Sequence, residues 1–360
     1  METTLNCKKP YYSLQNNISI IIFILGAIFL ILFSYSLNSS KSLIASQFLQ
    51  CPSHQNQITL QTHKDELEET LERTSMPNKT VIIAVVNRAY VEGEVVPNML
   101  DLFLEGFWEG EGTRELVNHL LIVAVDQTAY ERCLFRGLHC YKLETDGVDF
   151  TREEVFMSSD FVKMMWRRTL FLLDVLQRGY NFIFTDTDVV WLRNPFTILT
   201  TNITQHLDIQ FSTDWYTGNS SSILNPINTG FYFVKSNNKT ISLFKKWYHL
   251  KDNSSGVKEQ DVLQNLAWQG VLTDLDINFR FLDTKFFSGF CHDSSDIRSV
   301  ITVHANCCRY IKAKVTDLVQ VLSDWSSFKV GNASLAADSF EWSPHVLCKN
   351  SWNTTYVVNG

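Results

Sequence analysis

The stretch Tyr180-Asn181-Phe182-Ile183-Phe184-Thr185-Asp186-Thr187-Asp188-Val189-Val190-Trp191-Leu192 constrains the fold more than any other part of this chain. A run this rich in aromatic and β-branched residues reads as a buried strand. The strand ends in two carboxylates one residue apart. Side chains of a strand alternate faces, so strand geometry predicts Asp186 and Asp188 on one side and Thr187 on the other. Two oxygen ligands at a strand end suit a hard divalent cation, which also takes oxygens from a bound phosphate. Ligands of open α/β sheets sit beyond the carboxyl ends of the strands. Asp is also common in turns and helix caps, so the surrounding pattern has to carry the reading.

That pattern is an alternation of strands and helices. Strands are predicted at Val81–Val86, His119–Val125, Asp208–Ser212, Gly230–Val234, Arg280–Leu282 and Val300–His304. Helices are predicted near Pro97–Trp108, Thr240–Leu250, Glu259–Trp268 and Lys312–Leu322. The clearest helix is Ser158–Arg178, where Phe161, Met164, Met165, Phe171, Leu172, Val175 and Leu176 recur at three and four and Gly179 supplies the stop. Such alternation predicts an α/β fold with a mostly parallel mixed sheet. Residues 331–360 read as a loosely structured tail.

Residues 18–37 form an uncharged apolar run, and about 20 such residues span a bilayer. Lys8 and Lys9 precede it and only Lys41 follows closely, which predicts a cytosolic tail at 1–17, an anchor at 18–37 and a lumenal stem at 38–78. The run exceeds a signal-peptide core and no Ala-x-Ala site follows closely. Asn-x-Ser/Thr tripeptides begin at Asn38, Asn78, Asn202, Asn219, Asn238, Asn253, Asn332 and Asn353, consistent with glycosylation in a secretory lumen. Seven of the 8 cysteines follow the anchor. A short Cys133–Cys140 loop and a pairing of Cys291 with Cys307 or Cys308 are available. No Cys-x-x-Cys pair points to zinc. A net charge of −7 without a Lys/Arg cluster argues against nucleic acid as the partner.

Several further residues could carry chemistry. His304 follows an apolar strand and could complete a metal site begun by Asp188; a core or surface histidine is the plain alternative. Asn228 and Gly230 suit hydroxyl recognition beside a sugar, or an ordinary turn. Glu259 and Asp261 open a helix, where they would face a substrate or favour the helix N-terminus. Asn87 and Asp126 end the first two strands, at the edge where nucleotides bind. Lys163 and Arg168, on the helix before Asp186, could pair with a carboxylate or a phosphate. The abundant tryptophans fit sugar stacking, although most should be core.

Together, Asp101–Phe107, His119–Ala124, Met164–Arg168, Phe184–Phe196, Glu259–Val262, Phe281–Thr284 and His304–Cys308 resemble the plant nucleotide-diphospho-sugar transferase family. It belongs with plant glycosyltransferases that include extensin arabinosyltransferases and rhamnogalacturonan-II xylosyltransferases. The resemblance covers about residues 80–328, with the motifs in family order. It implies a GT-A catalytic domain at 79–330, in a single-pass type II Golgi membrane protein. It also implies sugar transfer from a UDP-sugar to a polysaccharide or glycoprotein acceptor, with Mn²⁺ or Mg²⁺ and retention of configuration. Residue by residue, Asp186 and Asp188 match the family's Asp-x-Asp, His304 its C-terminal histidine, and Asn228 and Gly230 its acceptor-side Asn-x-Gly. Asp261 matches the last residue of a usual Asp-Gln-Asp, in which Glu259 replaces the first. Cys291-His292 stands where Cys-Gln is usual. Two rival readings are a non-catalytic transferase-like partner protein and a metal-dependent hydrolase of nucleotide sugars.

Overall fold

The computed structural model describes residues 64–353 other than 94–95, 146, 155–156, 255 and 332–339. Its centre is a seven-stranded sheet in the order β3-β2-β1-β4-β7-β6-β8. The strands are β1 (Thr80–Val86), β2 (Leu120–Ala124), β3 (His139–Lys142), β4 (Asn181–Thr185), β6 (Ile209–Thr213), β7 (Ile227–Val234) and β8 (Phe279–Phe281). β3, β2, β1 and β4 run parallel, β7 runs antiparallel to both β4 and β6, and β8 is parallel to β6. A second, three-stranded sheet joins β5 (Val189–Trp191), β10 (Thr302–His304) and β9 (Phe287–Gly289). The mostly parallel mixed α/β sheet expected from the alternation is therefore present.

The longer helices are α1 (Glu66–Thr74), α2 (Met99–Glu109), α3 (Gln127–Phe135), α4 (Ser159–Gln177), α5 (Asn238–His249), α6 (Glu259–Trp268) and α7 (Ile311–Val330). α4 begins where the Ser158 hydroxyl accepts from the Phe161 N–H, and Gly179, at φ +83°, turns the chain directly into β4. α1, α4, α5 and α6 cover one face of the large sheet, with Leu71, Leu172, Leu176, Leu243 and Trp247 wholly enclosed. α2 and α3 cover the other face. A third apolar cluster joins α7 to α2 and β5 through Leu318, Trp325, Leu102 and Val190.

Three boundaries differ from expectation. α1 falls inside the stem expected at 38–78, yet it buries Leu67 and Leu71 in the main core. Arg178 also grips its cap residue Asp65 through two hydrogen bonds of 2.7 Å. Its charged outer face masked this amphipathic stripe. α7 runs eight residues beyond the expected Leu322. The tail expected to be loose includes a short helix, Val346–Asn350, tied by a Cys308–Cys348 disulfide. The other disulfides are Cys133–Cys140 and Cys291–Cys307. Among the described residues no helix is long and apolar enough to cross a membrane; the anchor expected at 18–37 lies outside them.

Truncating Leu71 to Ala removes a fully enclosed side chain and is expected to cost about 2–5 kcal/mol. Urea unfolding of a fragment beginning near residue 60 measures this. An unchanged midpoint would show that α1 is not part of the cooperative unit.

Candidate active site

β4 stops at Thr185, and the next three residues form a tight turn in which the Val189 N–H bonds the Asp186 carbonyl at 3.3 Å. The two aspartates therefore sit in a turn rather than on a strand, and strand alternation is not what aligns them. Two antiparallel ladders do so. β4 pairs with β7, and the Asp186 N–H continues that ladder to the Gly230 carbonyl at 2.6 Å. β5 pairs with β10 in a register that sets His304 opposite Val189, and the Ala305 N–H donates to the Asp188 carbonyl at 2.9 Å. One ligand atom each from Asp186, Asp188 and His304 comes together within 4.8 Å.

Gly230 makes the room. A Cβ there would lie 2.3 Å from His304 Cε1 and 2.8 Å from Asp186 Oδ2. These ligand types fit a divalent cation: two carboxylates and an imidazole, gathered beside an open cavity. The cavity measures about 340 Å³ and is bordered by all three residues.

Asp188 is buried between the His304 imidazole and the Lys314 ammonium. Its Oδ1 is 3.3 Å from His304 Nε2, and its Oδ2 is 2.7 Å from Lys314 Nζ on the first turn of α7. Burial alone would push the Asp188 carboxyl up. Lys314 and His304 outweigh it and hold the group well below the usual carboxylate range. In return, Asp188 overcomes the burial of Lys314 and His304 and raises both. Burial pushes the Asp186 carboxyl up; the Arg168 charge opposes this and the neighbouring Asp188 adds to it, leaving a net rise.

Arg168 is a buried hub. Its guanidinium reaches Asp186 Oδ1 at 3.1 Å, Glu259 Oε1 at 2.6 Å and Thr229 Oγ1 at 3.3 Å, and lies 4.5 Å from the centre of the Phe184 ring. Glu259 is thus a partner of Arg168, its side chain only 2% exposed, rather than a group facing an acceptor. Gln260, between the two expected acidic positions, takes the Thr229 N–H at 3.0 Å and borders the cavity. On the far wall Asn228 and Asn306 both donate to Asp214 Oδ1, at 2.6 and 2.7 Å.

Other expected site residues lie elsewhere. Asp261, half exposed, is 3.6 Å from Lys258 and does not border the cavity, because it follows Glu259 on the opposite side of the first turn of α6. Asp126 caps α3 through the Ala129 N–H and also takes the Arg88 N–H. Lys163 is an exposed partner of Asp160. Asn87 does border the cavity, but its side chain caps a short helix and donates to the carbonyls of Phe150 and Arg152. His292 bonds Thr284 and meets Trp215 edge to face, away from the cavity. Lys314, Asp214, Gln260 and Asn306 were not singled out from the sequence. For Lys314 the available signal is weak: it is one of two lysines, with Lys312, in the first turn of an apolar-striped helix soon after His304.

With this geometry in view, the profile of the nucleotide-diphospho-sugar transferase family matches residues 115–318. This chain belongs to that family. An uncharacterised Arabidopsis thaliana protein is 52% identical over 334 residues, covering 91% of this chain and 97% of its own. The family also includes the Arabidopsis beta-arabinofuranosyltransferase RAY1, 24% identical over 62% of this chain and 41% of its own length. Among solved structures, the galactosyltransferase LgtC in complex with donor and acceptor sugar analogues matches at 10% identity. That match has a TM-score of 0.35 and covers 62% of this chain and 86% of LgtC.

Replacing Arg168 by Gln strands two carboxylates and is expected to cost about 3–5 kcal/mol in urea unfolding. Asp261→Asn, at the surface, should shift stability by less than about 0.5 kcal/mol. Equal effects would refute the buried-hub assignment.

Proposed function

We propose that this member of the nucleotide-diphospho-sugar transferase family is a GT-A glycosyltransferase. It transfers a sugar, a pentose or galactose, from a UDP-sugar to a polysaccharide or glycoprotein acceptor of the plant cell wall. The observation that carries this reading is the convergence of Asp186, Asp188 and His304 at the edge of a cavity that Lys314 also borders. Asp186, Asp188 and His304 would hold Mn²⁺ or Mg²⁺, which would offset the charge of the donor's diphosphate. The sugar classes follow relatives named as an arabinofuranosyltransferase and as UDP-D-xylose:L-fucose xylosyltransferases.

This chain's own groups divide the remaining work. Lys314 brings a fixed positive charge to the side where the diphosphate leaves. Asn228, Asp214 and Asn306 present amide and carboxylate groups to sugar hydroxyls. As the acceptor hydroxyl bonds to the anomeric carbon, the bond to the diphosphate breaks. The hydroxyl proton passes to the departing phosphate oxygen. We assign no general base among the described residues: Glu259 is paired with Arg168, and Asp214 already accepts from two amides. Transfer with retention of configuration is compatible with that arrangement.

A lumenal Golgi setting, with the chain anchored at 18–37, is part of the proposal. Every sequon asparagine among the described residues (Asn78, Asn202, Asn219, Asn238, Asn253 and Asn353) is exposed, as a glycan acceptor must be. Three disulfides suit an oxidising compartment.

The test uses the fragment from near residue 60 onward, secreted from a eukaryotic host. UDP release is followed across a panel of UDP-sugars with Mn²⁺ and then with EDTA. Release from one donor that EDTA abolishes supports the reading, and hydrolysis that no acceptor accelerates would favour a hydrolase. Asp188→Ala should abolish release. Gly230→Ala, whose methyl would displace His304 and Asp186, should weaken Mn²⁺ binding by roughly 10–100-fold. Full activity of Asp188→Ala would refute the metal role.

A pH dependence follows from His304. Its raised pKa means that a proton leaves the ring only above the ordinary imidazole value of about 6.5. Protonated imidazole cannot be a ligand, so Mn²⁺ affinity should fall as the pH drops through that raised value and recover above it. Affinity that stays flat between about pH 6 and pH 8 would count against His304 as a ligand.

A further inference from the structure

The C-terminal segment returns to the cavity instead of trailing from it. Cys348 is bonded to Cys308, Ser351 Oγ accepts from the Arg309 backbone N–H at 3.1 Å, and the Trp352 indole donates to the Cys307 carbonyl at 2.7 Å. These three contacts fix the segment onto residues 307–309, which follow β10 and its His304. Arg309 and Trp352 both border the cavity that holds Asp186, Asp188 and Lys314.

Arg309 differs from the other basic groups there. Arg168 is committed to Asp186 and Glu259, and Lys314 to Asp188. Arg309 makes no ion pair among the described residues, which leaves its charge uncompensated; its Nε, like that of Arg168, is buried without an acceptor. Its guanidinium lies 5.4 Å from the centre of the Trp352 ring and 6.0 Å from that of Tyr310. A buried N–H without a partner is costly, so it marks a place for an acceptor. The two rings favour the guanidinium charge at this place, and its planar fork matches the paired oxygens of a phosphate.

We propose that Arg309, held by Trp352 of the disulfide-pinned segment, binds the diphosphate of the donor, making the C-terminal segment part of the donor site. This rests on the nucleotide-sugar reading above, because the diphosphate is the anion that reading brings to this cavity. Arg309 contributes a bidentate contact that Lys314, a point charge already paired with Asp188, does not supply.

Calorimetric titration of the secreted fragment with UDP in the presence of Mn²⁺ tests this, alongside the ligand-free thermal midpoint of each variant. Arg309→Gln should weaken UDP binding by roughly tenfold or more with an unchanged midpoint. Arg309→Lys should recover part of the loss, and Trp352→Ala should weaken UDP binding by a smaller factor. Wild-type protein that binds UDP, with Arg309→Gln binding it equally well, overturns the role of Arg309 and leaves the nucleotide-sugar reading intact. Wild-type protein that binds no UDP overturns both. A lowered midpoint with equal loss in Arg309→Gln and Arg309→Lys assigns Arg309 to structure and overturns the proposal.

Discussion

The turn Asp186–Asp188 is held at both ends by antiparallel pairing, and the rest of the site depends on that clamp. β4 delivers it from the large sheet and β5 carries it away into the small one. Pairing with β7 puts Gly230 beside Asp186, and pairing with β10 puts His304 beside Asp188. Ladder registers are strongly specified where the strands are buried. β4 is buried at every position but its first, and β5 throughout. The placement of Asp186, Asp188 and His304 is therefore set by backbone hydrogen bonds.

Around that turn, charge is balanced in two groups. Arg168 pairs with the partly exposed Asp186 and the buried Glu259, while Lys314 pairs with the buried Asp188, which also meets the His304 ring. Removing one partner of such a group leaves a buried charge uncompensated. Glu259 illustrates the consequence. Its place at the head of α6 suggested acceptor chemistry, but a buried carboxylate beside a buried guanidinium stabilises the site instead of acting on a substrate. Arg168 also donates to Thr229 of β7, so α4, α6 and β7 meet at one side chain.

The alternation of apolar strands and helices, the α4 stripe with its Ser158 cap and Gly179 stop, and the Asp-x-Asp after β4 were all legible along the chain. So was His304 as a candidate partner of Asp188, because it follows an apolar strand; that Gly230 makes room between Asp186 and His304 was not, since the sequence suggested only sugar recognition or a turn there. Asp126, Lys163 and Asp261 were expected at the site but do not border the cavity, for a common reason. Each lies near the right strand or helix end, and which way a side chain points there depends on helix phase and on local backbone donors. Lys314 and Arg309 left almost no trace, since a basic residue on or before an apolar-striped helix has the look of an exposed charge.

The sequence by itself determined the α/β architecture, the Asp-x-Asp pair at the end of an apolar strand and the family to which the chain belongs. These rest on hydrophobic period and on motifs of neighbouring residues, which are local properties. Only the tertiary structure decided that α1 belongs to the core, that Asp188 sits between His304 and Lys314, that Glu259 is committed to Arg168, and that the segment carrying Trp352 returns to the cavity. Each of these joins residues far apart in the chain. Which of many chemically suitable partners actually meet is settled by ladder register, helix phase and disulfide pairing, and none of these is written in local composition.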